Sequence, residues 1–280
     1  MKLVRHGAAG AEKPGLIDAK GQVRDLSAHL PDLTPEWLSD AKLAQLRAID
    51  VEKLPVVKPT RFGTPVSGIR QCVAIGLNYR KHAAEAGLEP PKEPIVFFKA
   101  ITSICGPNDD TMLPKDSTAG DWEIELTVVM GKTARSVSRG EALDYVAGYT
   151  IANDVSERDW QIKRSGQWSK GKSFDTFCPL GPWLVTRDEV DPNKLDMQSS
   201  VNGVVKQSES TSDLIFDVAT VISHVSEFMT LLPGDVILTG TPSGVGLGFK
   251  PPQHLKDGDV VNLRIEGLGE QTQHVKAFKG

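Results

Sequence analysis

In the segment Asp121 to Gly131, DWEIELTVVMG, the apolar residues Trp122, Ile124, Leu126 and Val128 alternate with Glu123, Glu125 and Thr127. A period of two sends successive side chains to opposite faces, so the segment reads as a strand with unlike faces and both glutamates on the same one. Further strand signals surround it. Cys72 to Leu77, Ile95 to Lys99 and Gly148 to Val155 are apolar runs of strand length, and LPGDVILTGT and GDVVNLRIEG follow glycine-containing turns. Val201-Asn202-Gly203-Val204 is a hairpin signal, because Asn-Gly accepts the positive φ values of a type I′ turn. Helical stretches are fewer: Tyr79 to Ala86, Arg139 to Val146, Ser156 to Lys163, and an amphipathic helix over Phe216 to Thr230 with Val218, Val221, Ile222, Val225 and Phe228 on one face. The pattern predicts a mixed, β-rich α+β fold, largely antiparallel with peripheral helices, and argues against regular βαβ winding.

The chain has 280 residues, enough for one large domain or a large one with a small companion. Leu16 to Leu26 reads as a hairpin, and the stretch 54–68, LPVVKPTRFGTPVSG, is rich in proline and glycine. A division follows into a small N-terminal domain, 1–65, and a main catalytic domain, 66–280. With 32 basic and 36 acidic side chains the net charge is −4, which supplies no basic field for nucleic acid. Transmembrane helices need roughly 18 or more uninterrupted apolar residues, and none is present, so no membrane role and a cytoplasmic location are expected. Cys72, Cys105 and Cys178 are odd in number, widely spaced and free of CxxC pairing, which predicts reduced, mostly buried thiols.

Two carboxylates on one strand face repel, and they persist in water, with one proton shared, or around a cation. A bare ExE is usually a solvated face. Asp154 alters that reading, because it ends the apolar run Tyr149 to Ala152 where a strand gives way to the next element. Three carboxylates without cysteine form a hard oxygen site suited to Mg²⁺ or Mn²⁺, with Ca²⁺ also accommodated. His82 and Glu85 stand at i and i+3 of a short helix, close enough for the carboxylate to fix the imidazole tautomer and raise its basicity; a surface ion pair is the alternative. Lys172, in GKSFDTFCP, either faces a site and steadies a carboxylate or oxyanion, or is a solvated loop lysine. TGTPSGVG, 239–246, lacks the P-loop lysine and GxGxxG spacing, so it is no nucleotide cradle; its glycines let backbone approach a small ligand, with Thr241 offering a hydroxyl.

Taken in order, GLNYxxHxxE (76–85), FFK (97–99), DWEIELTVVMG, GYTIANDVSERDxQ (148–161), GKSFDTFCPLGP and LLPGDVILTGTPSGVG give a chain that resembles the fumarylacetoacetate hydrolase family over roughly residues 70 to 267. The resemblance implies a β-roll catalytic domain with a small N-terminal domain, assembled as a homodimer. It implies a divalent cation on Glu123, Glu125 and Asp154, a His82/Glu85 dyad activating water, and Lys172 contacting substrate. Arg158, Gln161, Thr176 and Thr241 match positions near the ligand, and Lys99 matches a recurrent lysine grouped with them. The larger founding enzyme has a fourth carboxylate ligand, for which Tyr79 to Phe98 offers no counterpart, so the chain is similar to the shorter prokaryotic branch. Its AEKPGLIDAKGQVRDLSAHL segment also resembles members labelled ureidoglycolate lyases or diketo sugar-acid hydrolases. The implied activity is hydrolysis of a C–C bond in a 2,4-dioxo acid to pyruvate and a second acid. Ureidoglycolate cleavage, or decarboxylation or tautomerisation of an oxo acid, is the alternative on the same site. Loops 87–94 and 165–170 are expected to select the substrate.

Overall fold

The computed structural model describes residues 1–278, and two sheets dominate it. The larger has eleven strands. Its path runs Val56–Val57, Val23–Asp25, Lys13–Ile17, Lys2–His6, Cys178–Thr186, Val146–Asn153, Ile124–Met130, Val236–Leu238, Cys72–Gly76 and Ile95–Lys99, with Ile104–Cys105 pairing beside Cys178–Thr186. The path has two free ends, so the sheet does not close into a barrel. Every pairing along it is antiparallel except that of Val236–Leu238 with Cys72–Gly76, where Leu238 lies opposite Ala74. The second sheet orders Val204–Ser210, Asp196–Val201, Val260–Ile265, Gly269–Ala277 and Thr111–Leu113. The architecture is the expected mixed, β-rich α+β class.

Alternation in Ile124–Met130 governs the layering, although both of its faces are buried rather than one being solvated. Ile124, Leu126, Val128 and Met130 join Met197, Leu263 and Ile265 of the second sheet and Val221, Ile222 and Val225 of the long helix in one core. The opposite face carries Val129 into a second core with Leu3, Leu16, Leu180 and Leu184. Glu125 and Glu123 continue that second face beyond the core, so the alternation separates two kinds of interior instead of interior and water.

The helix Val218–Phe228 is capped by Asp217, whose carboxylate accepts the Thr220 N–H at 2.8 Å. Phe228 keeps to the expected apolar stripe but is not buried with it. At 100° per residue it lies only about 20° from Val221, but as the last residue of the helix it extends past the core and is 58% exposed. Arg139 to Val146 yields only a 3₁₀ turn, Ala142–Tyr145, because Val146 already pairs in the sheet opposite Met130. Over Ser156 to Lys163 a short bridge, Ser156–Glu157, leads into a wide π-type turn, Asp159–Lys163, in place of an ordinary helix. Glu157 caps the turn by accepting the Trp160 N–H at 2.9 Å and ties it to the neighbouring segment by accepting the Ala119 N–H at 3.1 Å. Asn202 and Gly203 do adopt positive φ, +52° and +77°, in the predicted hairpin.

The residues before 65 are woven into the large sheet. Lys13–Ile17 and Val23–Asp25 form the expected hairpin, and Lys2–His6 pairs with Cys178–Thr186 at Lys2↔Val185 and Leu3↔Leu184. The large sheet therefore takes strands from both sides of the proline-rich stretch, joined through Lys2–His6. Cys72 and Cys178 are buried free thiols and Cys105 is partly covered, as expected. Among the described residues no helix is long and apolar enough to cross a membrane.

Candidate functional site

Four strands of the large sheet end together, and their ends build the site. Ile124 pairs with Asn153, so Asp154, one residue past the end of its strand, falls beside Glu123; the Asp154 N–H donates to the Glu123 carbonyl at 2.8 Å. On the other side Thr127 pairs with Leu238, which brings Gly240 opposite Glu125. The Gly240 N–H donates to Glu125 Oε2 at 2.7 Å. That residue has φ +102°, and a Cβ on it would fall 2.8 Å from Asn78 Cβ, so glycine is required for the approach. Beyond it Thr241 Oγ1 donates to the Ile124 carbonyl and accepts from Gln207 Nε2, at 2.9 and 2.7 Å.

Glu123, Glu125 and Asp154 are buried and each offers an oxygen within 4.8 Å of the others. Two of them are paired with cations. Lys172 Nζ donates at 2.7 Å to both Glu123 Oε2 and Asp154 Oδ2, and Lys99 Nζ pairs with Asp154 Oδ1. Arg158 places a terminal nitrogen 2.6 Å from Glu123 Oε1, close enough for an ion pair though not aligned as a hydrogen bond. Burial opposes ionisation of Glu123, but Lys172 and Arg158 outweigh it and hold the carboxyl at about 2. The same carboxylates outweigh burial at Lys172 and raise its ammonium. Glu125 differs. It makes no ion pair among the described residues, and burial, Asp154 and Glu123 together push its carboxyl well above the ordinary range. A fully buried carboxyl between two carboxylates, with one backbone N–H for support, is where a cation fits. All-oxygen donors suit Mg²⁺, Mn²⁺ or Ca²⁺.

The dyad faces the same space. The short helix Arg80–Glu85 follows the strand Cys72–Gly76, and His82 Nδ1 lies 3.1 Å from Glu85 Oε2. Glu85 Oε1 accepts the Gly244 N–H at 2.9 Å. This is a tethered pair rather than a solvated one. Both residues line a cavity of about 480 Å³ together with Glu123, Glu125, Asp154 and Lys172. Arg158, Gln161 and Thr241 line it too, and Leu88 and Trp168 bring in both loops expected to select substrate.

Two residues of the predicted set stand apart from this cavity. Lys99 does not line it; its ammonium is buried behind Asp154, where it also donates to the Val155 carbonyl at 3.3 Å. Nor does Thr176, whose φ is +67° and whose hydroxyl accepts the Met112 N–H at 2.7 Å, a structural tie. Asp121, outside the predicted set, continues the parity of Glu123 and Glu125 by one step. One wall of the cavity, formed by Phe97 and Trp168 with their rings edge to face at 5.5 Å, has no local signal in the sequence. Gly76 allows that wall, because a Cβ there would fall 2.2 Å from Trp168 Cζ3, far inside van der Waals contact. Gly76→Ala should therefore cost about 1–3 kcal/mol by overpacking, read as a lowered urea midpoint; an unchanged midpoint would mean that Trp168 moves freely.

A family model described as fumarylacetoacetate (FAA) hydrolase C-terminal matches residues 71–276. A curated protein of Burkholderia lata, described only provisionally as a hydrolase, is 57% identical over 279 residues, 99% of each chain. Among solved structures, a fumarylacetoacetate hydrolase from psychrophilic Exiguobacterium antarcticum superposes with a TM-score of 0.85 at 36% identity, covering 99% of this chain and 100% of that one. Maleylpyruvate hydrolase from Sphingobium sp. SYK-6, in complex with manganese(II) and pyruvate, gives 0.82 at 31% identity with both chains fully covered.

Proposed function

The chain belongs to the fumarylacetoacetate hydrolase family, and from that premise we propose that it is a divalent-metal-dependent hydrolase cleaving the C3–C4 bond of a 2,4-dioxo acid to pyruvate and a second acid. The observation that carries the reading is the meeting, in one cavity, of three buried carboxylates with a tethered histidine–glutamate pair. The manganese and pyruvate held by the Sphingobium maleylpyruvate hydrolase support it.

Glu123, Glu125 and Asp154 would hold Mg²⁺ or Mn²⁺, which when bound supplies Lewis acidity and positive charge for the carboxylate and 2-oxo group of the substrate. Glu85 accepts from Gly244 and, as a carboxylate, accepts also from His82 Nδ1–H, which leaves His82 Nε2 to take a proton from water. The hydroxide adds to the C4 carbonyl. As that tetrahedral centre collapses to the second acid, the C3–C4 electron pair leaves with C3 as the enolate of pyruvate, and a proton at C3 completes the product. The buried Lys172 ammonium steadies the developing negative charge, and Arg158 and Gln161 orient the oxo acid. The acyl part extends toward Leu88 and Trp168.

Metal-stripped protein should release pyruvate from acylpyruvates or diketo sugar acids only when Mg²⁺ or Mn²⁺ is restored, followed by coupled pyruvate detection. Glyoxylate from ureidoglycolate alone would move the assignment to the lyase. Pyruvate from oxaloacetate alone would move it to decarboxylation.

A further inference from the structure

Asp121 is fully buried and has no part in the reaction just described. Burying a carboxylate is costly unless donors surround it, and this one has four. Oδ1 accepts the N–H groups of Trp122 and Gly246 at 2.8 and 2.6 Å. Oδ2 accepts the Leu247 N–H at 2.9 Å and Arg158 Nε at 2.8 Å. Those donors lead to opposite halves of the site. Through Arg158 the chain of contacts continues to Glu123 and to Gln161, whose Oε1 accepts from the guanidinium at 2.9 Å. Through 246–247 it continues to Gly244, which donates to Glu85 and whose carbonyl accepts Trp122 Nε1–H at 3.1 Å.

We infer that Asp121 is a positioning residue that sets the His82–Glu85 dyad in register with the three-carboxylate cluster, by fastening Arg158 and the segment 244–247 to one point of the chain. Glu85 has a single described backbone donor, Gly244, and that donor sits on the segment Asp121 holds. Loss of the Asp121 charge therefore reaches His82 through Glu85, while Glu123, Glu125 and Asp154 keep their own strands. The effect on rate rests on the hydrolase reading; the effect on structure does not.

Asp121→Asn preserves shape but turns one acceptor into a donor, which must face either the loop N–H groups or the guanidinium. kcat should fall about 10–100-fold, the scale of a misplacement near 1 Å, with Mn²⁺ still binding at unchanged stoichiometry. In a His82→Ala background the same change should lower the residual rate by several-fold less than in wild type, because the part that runs through the dyad is already lost and only the part that runs through Arg158 remains. Equal losses in both backgrounds overturn the inference. Deuterium uptake needs no substrate: in Asp121→Asn it should rise over both 244–248 and 80–86 and stay unchanged over Val218–Phe228. A rise at 244–248 with 80–86 unaffected, or a general rise that includes Val218–Phe228, overturns it. Wild-type protein that yields pyruvate from no dioxo acid would sink the hydrolase reading instead and leave the exchange result to decide.

Discussion

Replacing His82 with alanine is expected to lower turnover by about 10²–10⁴-fold, the range that a positioned general base commands, while Mn²⁺ binding stays within a few-fold of wild type. The separation follows from geometry. His82 is bonded to Glu85, and Glu85 to the backbone of Gly244, whereas the cation cluster is built by Glu123, Glu125 and Asp154 on other strands. Calorimetric titration with Mn²⁺ beside single-turnover pyruvate release measures both quantities in one preparation. Parallel loss of the two would mean that the imidazole is a ligand or a structural strut.

Glu125→Gln should have the largest effect on metal. Every other carboxylate of the cluster is paired with a lysine or arginine, so Glu125 is the one whose charge depends on an added cation. Its loss should weaken Mn²⁺ by more than the 10–100-fold that even outer-shell partners command. Burial and two neighbouring carboxylates raise its carboxyl well above the ordinary range, so a proton occupies it until pH passes that raised value. Mn²⁺ uptake below that point should release a proton, visible as a calorimetric heat that varies with buffer, and affinity should fall about tenfold per pH unit. Stability carries the matching sign. A carboxyl raised on folding contributes stability below its unfolded pKa and loses it as pH rises through the folded one, so metal-free protein should soften with rising pH there. Mn²⁺ should restore it, and Glu125→Gln should abolish the dependence. Glu123 acts oppositely: held at about 2, it contributes above its ordinary pKa and is lost only in strong acid.

Much of this site was legible because its residues obey local rules. The parity of Glu123 and Glu125, the i, i+3 spacing of His82 and Glu85, and the strand end at Asp154 are properties of a few consecutive residues. What escaped depends on distant partners. Thr176 matched a motif, yet its hydroxyl is occupied by Met112, sixty-four positions away in sequence. Lys99 ends an apolar strand, and only the sheet order places it behind Asp154 rather than in the cavity. The turn at Asp159–Lys163 carries helical composition, but Ser156 and Glu157 are held extended by pairing with Asp121 and Gly120, so the helix expected from 156 starts late and short, a tertiary override of local propensity. Pro- and Gly-rich composition at 54–68 reports local stiffness and says nothing of which strand pairs with which, so the pairing of Lys2–His6 with Cys178–Thr186 has no local signal.

The pairing of Lys2–His6 with Cys178–Thr186 places a timing constraint on the newborn chain. Its hairpin neighbour, Lys13–Ile17, emerges at once, but the partner on its other edge, paired at Lys2↔Val185 and Leu3↔Leu184, is made about 180 residues later. At synthesis rates of roughly 5–20 residues per second, that edge waits on the order of 10–30 s with its amides unclaimed. During that interval a second nascent chain on the same message presents an identical open edge, so the strand that waits longest for its partner is open to the wrong one.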